Sequence, residues 1–404
     1  MNVLTERMGK GELWNSSFIF LLIANGLFFM SFEMLVPTLP LFVDHIGGQA
    51  SQVGIVSGIF VVSAILIRPF TGVLVTRFNK KYLLLAGLLV CGVASSAYYL
   101  TDVIWQLIII RVLHGLGFGL VTIYFTTLSI DYIPKNRLGE GVGYFGVGET
   151  IMMSVGPMLG ILLLDLFHFH YFFYAVSFIV LLAIVLATFV RYRPKTAGKS
   201  EKETVKVHYK LIDKRLSFQS ILGCLMGIAA GSIISFIPLF AIEKSFEQVG
   251  LFFFAVAIAG LVVRFFSGKI YDRFGPLPVL IPSGIFAILG IILLLIATNE
   301  TLFLIAGFIY GAGFGAAFPA VQTWAVQLVN ENEHEIAVSS FFNSFDIGLG
   351  AGSILLGVIA QAAGSYQNIY FVAIGVYIIF LLSFLIYAKR LTSNPAHNVK
   401  ERML

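Results

Sequence analysis

The chain has 404 residues, of which 58% are hydrophobic and only 12% charged, with a formal net charge of +5. Ordinary water-soluble domains carry roughly 25% charged residues, so this composition excludes them and describes an integral membrane protein. The positive balance is no nucleic-acid footprint, because basic residues collect in the cytoplasmic loops of such proteins. The two cysteines, Cys91 and Cys224, lie inside apolar runs and give no disulfide framework.

A helix needs about 20 apolar residues to cross the bilayer core. Twelve spans are predicted, at 17–42, 51–76, 81–100, 104–128, 140–164, 171–190, 217–242, 248–272, 277–297, 302–328, 336–361 and 368–389. The N-terminus carries no cleavable-signal pattern, so its first apolar run is expected to remain as span one. Most connections are a few residues long and make consecutive spans antiparallel neighbours.

The exception is 191–216, which holds Arg191, Arg193, Lys195, Lys199, Lys202, Lys206, Lys210, Lys214 and Arg215 against three acids. It reads as a basic cytoplasmic linker between an N-terminal six-helix half, 1–190, and a C-terminal half, 217–404. A solvated linker and a helix lying on the anionic inner leaflet are its two readings. Arg77, Lys80, Lys81, Lys135, Arg137, Lys269, Arg273, Lys389 and Arg390 fall on the same side. The opposite loops hold Asp44, Asp102, Asp165, Glu243, Glu300 and Lys244. Both termini are therefore expected in the cytoplasm of a multi-pass plasma-membrane protein. The loop around Glu331, Glu333 and Glu335 runs against this trend.

The two halves repeat. Gln52-Val53-Gly54 matches Gln248-Val249-Gly250, 196 positions on, and Arg68, Gly72 and Arg77-Phe78 match Arg264, Gly268 and Arg273-Phe274 at the same spacing. Gly115-x-Gly117-Phe118-Gly119 matches Gly311-x-Gly313-Phe314-Gly315, again at 196. After a slip of one, Phe145, Glu149 and Gly160 match Phe342, Asp346 and Gly357. The expected fold is all-α: twelve transmembrane helices in two pseudo-symmetric six-helix bundles around a central cavity.

The segment Gly141–Gly160 is small-residue-rich and apolar, yet it carries Glu149 and Gly156-Pro157. A carboxylate in hydrocarbon costs several kcal/mol unless it is paired or faces a polar cavity, which marks Glu149 and its repeat partner Asp346 as functional candidates.

Three motifs resemble the major facilitator superfamily, and in particular its twelve-span drug/proton antiporter branch. Gly72-Val-Leu-Val-Thr76-Arg77-Phe78-Asn79-Lys80-Lys81 resembles the cytoplasmic loop signature. Arg111-Val-Leu-His114-Gly115-Leu-Gly117 resembles the antiporter arginine motif, and Gly148 to Gly156-Pro157-x-x-Gly160 resembles the motif of exporters. Thr76 stands where the signature usually has aspartate, whereas the second copy, Gly268-Lys-Ile-Tyr-Asp272-Arg273, keeps its acid. The resemblance thus implies a cytoplasmic latch leaning on Asp272. Ile161 replaces a further glycine common in the exporter motif.

Glu33 on span one and Arg111 on span four should lie roughly 10–15 Å deep from the outer face. They are expected either to pair or to share a water network; one reading makes Glu33 a proton exchanger tuned by Arg111, the other a static ion pair. His114, three residues after Arg111, is a candidate proton relay or a histidine bonded within the bundle; its repeat partner is Tyr310. Glu149 and Asp346 belong near the midplane, where such transporters hold substrate. The alternative for each is a protonated carboxyl bonded to backbone. Asn25, Tyr124, Gln322, Trp324 and Asn343 are candidates for the cavity wall or for helix packing.

His168 and His170 lack the cysteine or carboxylate that would complete a metal site. No GxxxxGK[ST] run cradles a phosphate, so neither metal, cofactor nor ATP is expected, and the chain is read as no enzyme. The expected activity is proton-coupled export of a small cationic or neutral amphiphilic solute by a protein working as a monomer in the bilayer. A dedicated exporter of one metabolite such as a metallophore or sugar, and a nutrient importer or proton symporter, are the transport alternatives. A membrane receptor or lipid-modifying enzyme is the alternative from another class.

Overall fold

The computed structural model describes residues 13–134, 137–191, 212–330 and 333–393. They form twelve long helices and, among the described residues, no strand. These are α1 (Ser16–His45), α2 (Ala50–Arg77), α3 (Lys80–Ala97), α4 (Ile104–Tyr132), α5 (Leu138–Leu166), α6 (Phe169–Thr188), α7 (Ser217–Glu243), α8 (Val249–Phe274), α9 (Leu277–Ile296), α10 (Glu300–Gln327), α11 (His334–Ala363) and α12 (Gln367–Ser393). Eleven are long and apolar enough to cross a membrane, and α5 contributes the described apolar stretch Val155–Leu166. The expected all-helical, twelve-span architecture is the one observed. Several helices outrun the apolar windows; α1 ends at His45 and α4 at Tyr132. Hydropathy sees only the hydrocarbon-spanning part, while backbone hydrogen bonding carries the helix past it.

Pro37 and Pro40 in α1, Pro69 in α2, Pro157 in α5, Pro238 in α7, Pro282 in α9 and Pro319 in α10 all lie inside continuous helices. Each removes a backbone donor, which a membrane helix tolerates where neighbouring groups re-satisfy the freed carbonyl. Helix starts carry their own chemistry: Asn79 accepts from the Lys81 amide ahead of α3, and Asn299 from the Leu302 amide ahead of α10, both at 2.9 Å. Gly275, at φ +75°, ends α8 in a backbone conformation that other residues adopt only with strain.

By packing, the chain divides into two units. One takes Met1–Leu35, Ser63–Gly156 and Leu163–Tyr209; the other takes Val36–Val62, Pro157–Leu162 and Lys210–Leu404. The C-terminal end of α1, the first half of α2 and the turn after Pro157 therefore pack with the second unit. The core of the first unit joins Phe28, Leu84, Cys91, Tyr124, Phe125 and Phe145. That of the second joins Leu222, Met226, Tyr271, Trp324, Phe341 and Phe380. Outward-facing positions are apolar as well, Phe265 being 74% and Leu100 72% exposed, which suits hydrocarbon and not water.

The duplication continues into contacts that no motif contains. A Cβ on Gly119 would lie 2.5 Å from the Ala64 carbonyl oxygen, and one on Gly315 would clash with the Gly260 Cα. Ala64 and Gly260 are themselves 196 positions apart, as Gly119 and Gly315 are. On the next face, Gly117 meets Cys91 and the Gly87 carbonyl, and Gly313 meets Ala287 and the Ser283 carbonyl, once more at 196. Helix α4 thus wedges between α2 and α3 in the way α10 wedges between α8 and α9. Without a hydrophobic drive between helices in lipid, such small-residue contacts supply the packing attraction.

Candidate functional site

Helix α1 carries Glu33 into the first unit, where it is 9% exposed and takes part in no ion pair among the described residues. The contact that fixes it comes from α5. A Cβ on Gly156 would sit 2.5 Å from the Glu33 Cβ and 3.3 Å from the Met30 carbonyl oxygen. The glycine of the exporter motif therefore lets α5 press directly on the turn of α1 that bears the acid. The equivalent α7–α11 contact, in the second unit, is made by Gly231 and Ser353, and the Ser353 hydroxyl lies 3.1 Å from that of Ser235. One copy has an acid at this crossing and the other a pair of hydroxyls.

Ring contacts set the level of Glu33. Phe32 meets Phe118 at 4.4 Å and His114 at 6.5 Å between centroids, and Phe28 meets Phe118 and Phe125. Phe32, next to Glu33, is thus level with the Phe118–His114 turn, and Arg111 lies about one turn before His114 in α4. Helix α1 continues to His45, past the predicted end at 42, while α4 starts at Ile104 as predicted.

Arg111 and His114 are both buried, at 6% and 2% exposure. Their polar neighbour was not among the sequence candidates. Tyr98, in the 3₁₀ turn after α3, places its hydroxyl 2.9 Å from His114 Nδ1 and within hydrogen-bonding reach of Arg111. Cys91 lies behind them, its Sγ 3.8 Å from the His114 carbonyl oxygen. The repeat partner of His114, Tyr310, also meets a phenol, Tyr377 of α12, at 3.5 Å.

Asp346 sits half-buried on α11, beside Phe345 and two residues before Gly348. At Gly348 α11 approaches so closely that a Cβ would clash with the Cys224 carbonyl of α7, and Gly227 meets the Phe345 carbonyl in the same way. The Glu149 side chain and Gly148 lie outside the described residues, as do Gly72 and the Thr76 side chain. Gly156, Pro157 and Gly160 are buried.

The proposed wall residues fall in packed surroundings. Tyr124 is 1% exposed and donates to the Thr71 carbonyl of α2 at 2.9 Å. Trp324 meets Phe218, Phe384 and Tyr387 edge-on. Asn25 and Asn343 are buried, and Gln322 is half-buried. Arg77, Asp272 and Arg273 are exposed at the ends of α2 and α8, with the Arg273 guanidinium 5.0 Å above the Phe274 ring; Gly268 has open space beside it. His170 meets Tyr99, and no group of three metal-ligating residues occurs among the described residues.

The acidic loop that ran against the charge trend has a partner. Arg215 reaches both carboxylate oxygens of Glu333 at 2.9 Å while also gripping Asp213. Hydrogen bonds from Arg215 hold the Glu333 carboxyl below the usual carboxylate range. The basic chain entering α7 is thereby tied to the start of α11. Residues 192–211 of the linker lie outside the described residues.

The sequence profile of the Major Facilitator Superfamily matches residues 21–270 and 220–403. Multidrug resistance protein MdtG of Escherichia coli is 30% identical over 364 residues, covering 86% of this chain and 88% of its own. Among solved structures, the nucleoside transporter NupG superposes with a TM-score of 0.72 at 14% identity, covering 92% of this chain and 98% of its own. A bacterial homolog of the human lysosomal transporter Spinster, in an inward-facing and unoccupied conformation, gives 0.70 at 14% identity, covering 92% and 94%. The internal repeat, the twelve helices and these likenesses agree: the chain is a secondary transporter belonging to the major facilitator superfamily.

Proposed function

We propose that this transporter exports small cationic or neutral amphiphilic solutes in exchange for protons. The observation that carries the reading is Glu33, an acid held in the apolar interior of the first unit against Gly156 of the exporter motif. An intramembrane carboxyl with no ion pair among the described residues changes its charge by exchanging a proton, and proton relays are built on such groups. Outside the cell, protonation of Glu33, Glu149 or Asp346 displaces substrate; inside, deprotonation restores negative charge and favours loading. These acids outnumber Arg111 and so favour cations over anions. MdtG, by its name a multidrug resistance protein, supports the export direction.

In this reading 1–190 and 217–404 are the two rocking halves, 191–216 is their cytoplasmic linker, and both termini face the cytoplasm of a monomer in the plasma membrane. Asp272 with Arg273, and Arg77 without an acid at position 76, form an asymmetric cytoplasmic latch. Asn25, Gln322 and Asn343 are the polar candidates for the substrate path; Tyr124, Tyr310 and Trp324 support it from packed positions. Everted membrane vesicles test the direction: an acid interior should drive uptake of ethidium, and collapse of the gradient should release it. Gradient-driven loss of ethidium from the vesicles would instead mark an importer. A thermal-shift screen separates a broad exporter, with many modest responses, from one dedicated to a single metabolite.

A further inference from the structure

The buried polar group around Arg111 contains a tyrosine that no motif includes, and its geometry fixes more than packing. We infer that Tyr98 is a positioning residue: its hydroxyl bridges Arg111 and His114, holds His114 in the tautomer with hydrogen on Nε2, and so makes the pair a neutral clamp on the Arg111 guanidinium. The inference rests on the antiport reading for its consequence in transport, but not for its geometry.

The hydroxyl is 2.9 Å from His114 Nδ1, so one proton lies between them. Arg111 presents only donors, and it stands within hydrogen-bonding reach of the same oxygen. With Arg111 facing the lone pairs of Tyr98, the arrangement that also gives the phenol proton an acceptor points it at Nδ1, which then accepts. Nε2 then carries the hydrogen of His114. A second proton on the ring would turn Nδ1–H towards an oxygen already facing a cation and set two positive charges across one hydroxyl.

Three neighbouring helices contribute to the surroundings. From α3 comes the Cys91 thiol, from α6 the Phe173 ring at 5.6 Å from Tyr98, and from α1 the Phe32 ring. Helix α1 carries Glu33, next to Phe32, and Asp44 near its end; α4 carries Arg111 and, near its far end, Asp131. Tyr98 is 0% exposed, so water does not replace the bridge. In this arrangement protons travel on the carboxyls, while His114 and Tyr98 keep Arg111 aimed.

Solid-state NMR of the full chain in lipid, with ¹⁵N-histidine and with His114→Gln to assign the signal, tests this. Wild type should show a neutral His114 with hydrogen on Nε2 at pH 7, and Tyr98→Phe should mix the tautomers while keeping the ring packing. A signal from hydrogen on Nδ1, an imidazolium, or a His114 spectrum unmoved in Tyr98→Phe overturns the inference. In proteoliposomes Tyr98→Phe should also lower proton-driven ethidium flux roughly tenfold, as loss of a hydrogen bond to a charged group implies, with downhill exchange retained. Equal proton-driven flux in the variant contradicts the clamp's role. Absence of such flux in wild type removes the antiport reading alone, since the NMR result stands apart from it.

Discussion

Gly156 of α5 packs directly on the Cβ of Glu33 on α1: a side-chain carbon on the glycine would fall 2.5 Å from it. No pair of carbon atoms rests there, so the acid-bearing turn and the exporter motif form one mechanical unit. Gly156→Ala should therefore lower the unfolding free energy by about 1–3 kcal/mol, the usual penalty of overpacking. Glu33→Gly removes the opposing Cβ, so the double variant should recover part of that loss. Thermal unfolding of all four proteins in one detergent measures the coupling; strict additivity would contradict the contact.

The same turn predicts a pH effect. Glu33→Gln keeps shape and hydrogen-bonding capacity but no longer exchanges a proton. Ethidium binding should vary with pH in wild type and lose most of that variation in the variant. The check is a binding isotherm from pH 5.5 to 8.5 (roughly a unit or more either side of neutrality). Parallel pH profiles in the two proteins would remove Glu33 from coupling.

The repeat makes a quantitative demand on packing. Gly119→Val meets the Ala64 backbone and Gly315→Val the Gly260 backbone, so each should destabilise by roughly 1–3 kcal/mol and to a similar extent. Gly268→Ala meets open space and should be neutral or stabilise by about 0.4–1 kcal/mol. Denaturation midpoints of the three variants decide this; a tolerant Gly315 beside an intolerant Gly119 would contradict equivalent wedges.

The Arg215–Glu333 pair gives a separate signature in acid. The Glu333 carboxyl titrates below its ordinary value of 4.5 because of hydrogen bonds from Arg215. Its contribution is therefore complete above about pH 4.5 and fades as pH falls through the depressed value. Wild type should exceed Glu333→Gln in thermal stability at pH 6–7, and the two should converge in acid. High salt should shrink the difference as well, because the pair is exposed. A gap that persists in acid would assign the effect to something other than this carboxylate.

Much of the architecture was legible because membrane burial writes itself in long apolar windows, and because the 196-residue offset recurs at glycines whose size is dictated by backbone contact. Gly117 and Gly313 were readable for that reason, and their neighbours Cys91 and Ala287 keep the same spacing. Tyr98 was not readable. It approaches His114 from a 3₁₀ turn sixteen positions away, and nothing in the sequence distinguishes its hydroxyl from that of Tyr99 beside it. Glu333 read as a breach of the charge rule because its partner, Arg215, is 118 positions distant. The level of Glu33 relative to Arg111 depended on where α1 ends, and hydropathy locates helix ends poorly once they leave the hydrocarbon. Tyr124 and Trp324 could be placed on their helices from the sequence, but not the Thr71 carbonyl that takes the Tyr124 hydroxyl or the rings that surround Trp324.

The central claim is that intramembrane carboxyls exchange protons for an outgoing solute. It is tested most directly by ethidium flux in proteoliposomes under an imposed pH gradient, with wild type, Glu33→Gln and Asp346→Asn compared at equal incorporation. The account predicts gradient-driven accumulation in wild type, with coupling sharply weakened in both variants while gradient-free exchange continues. Wild-type coupling in both variants, or ethidium moving in the same direction as the protons, would contradict it.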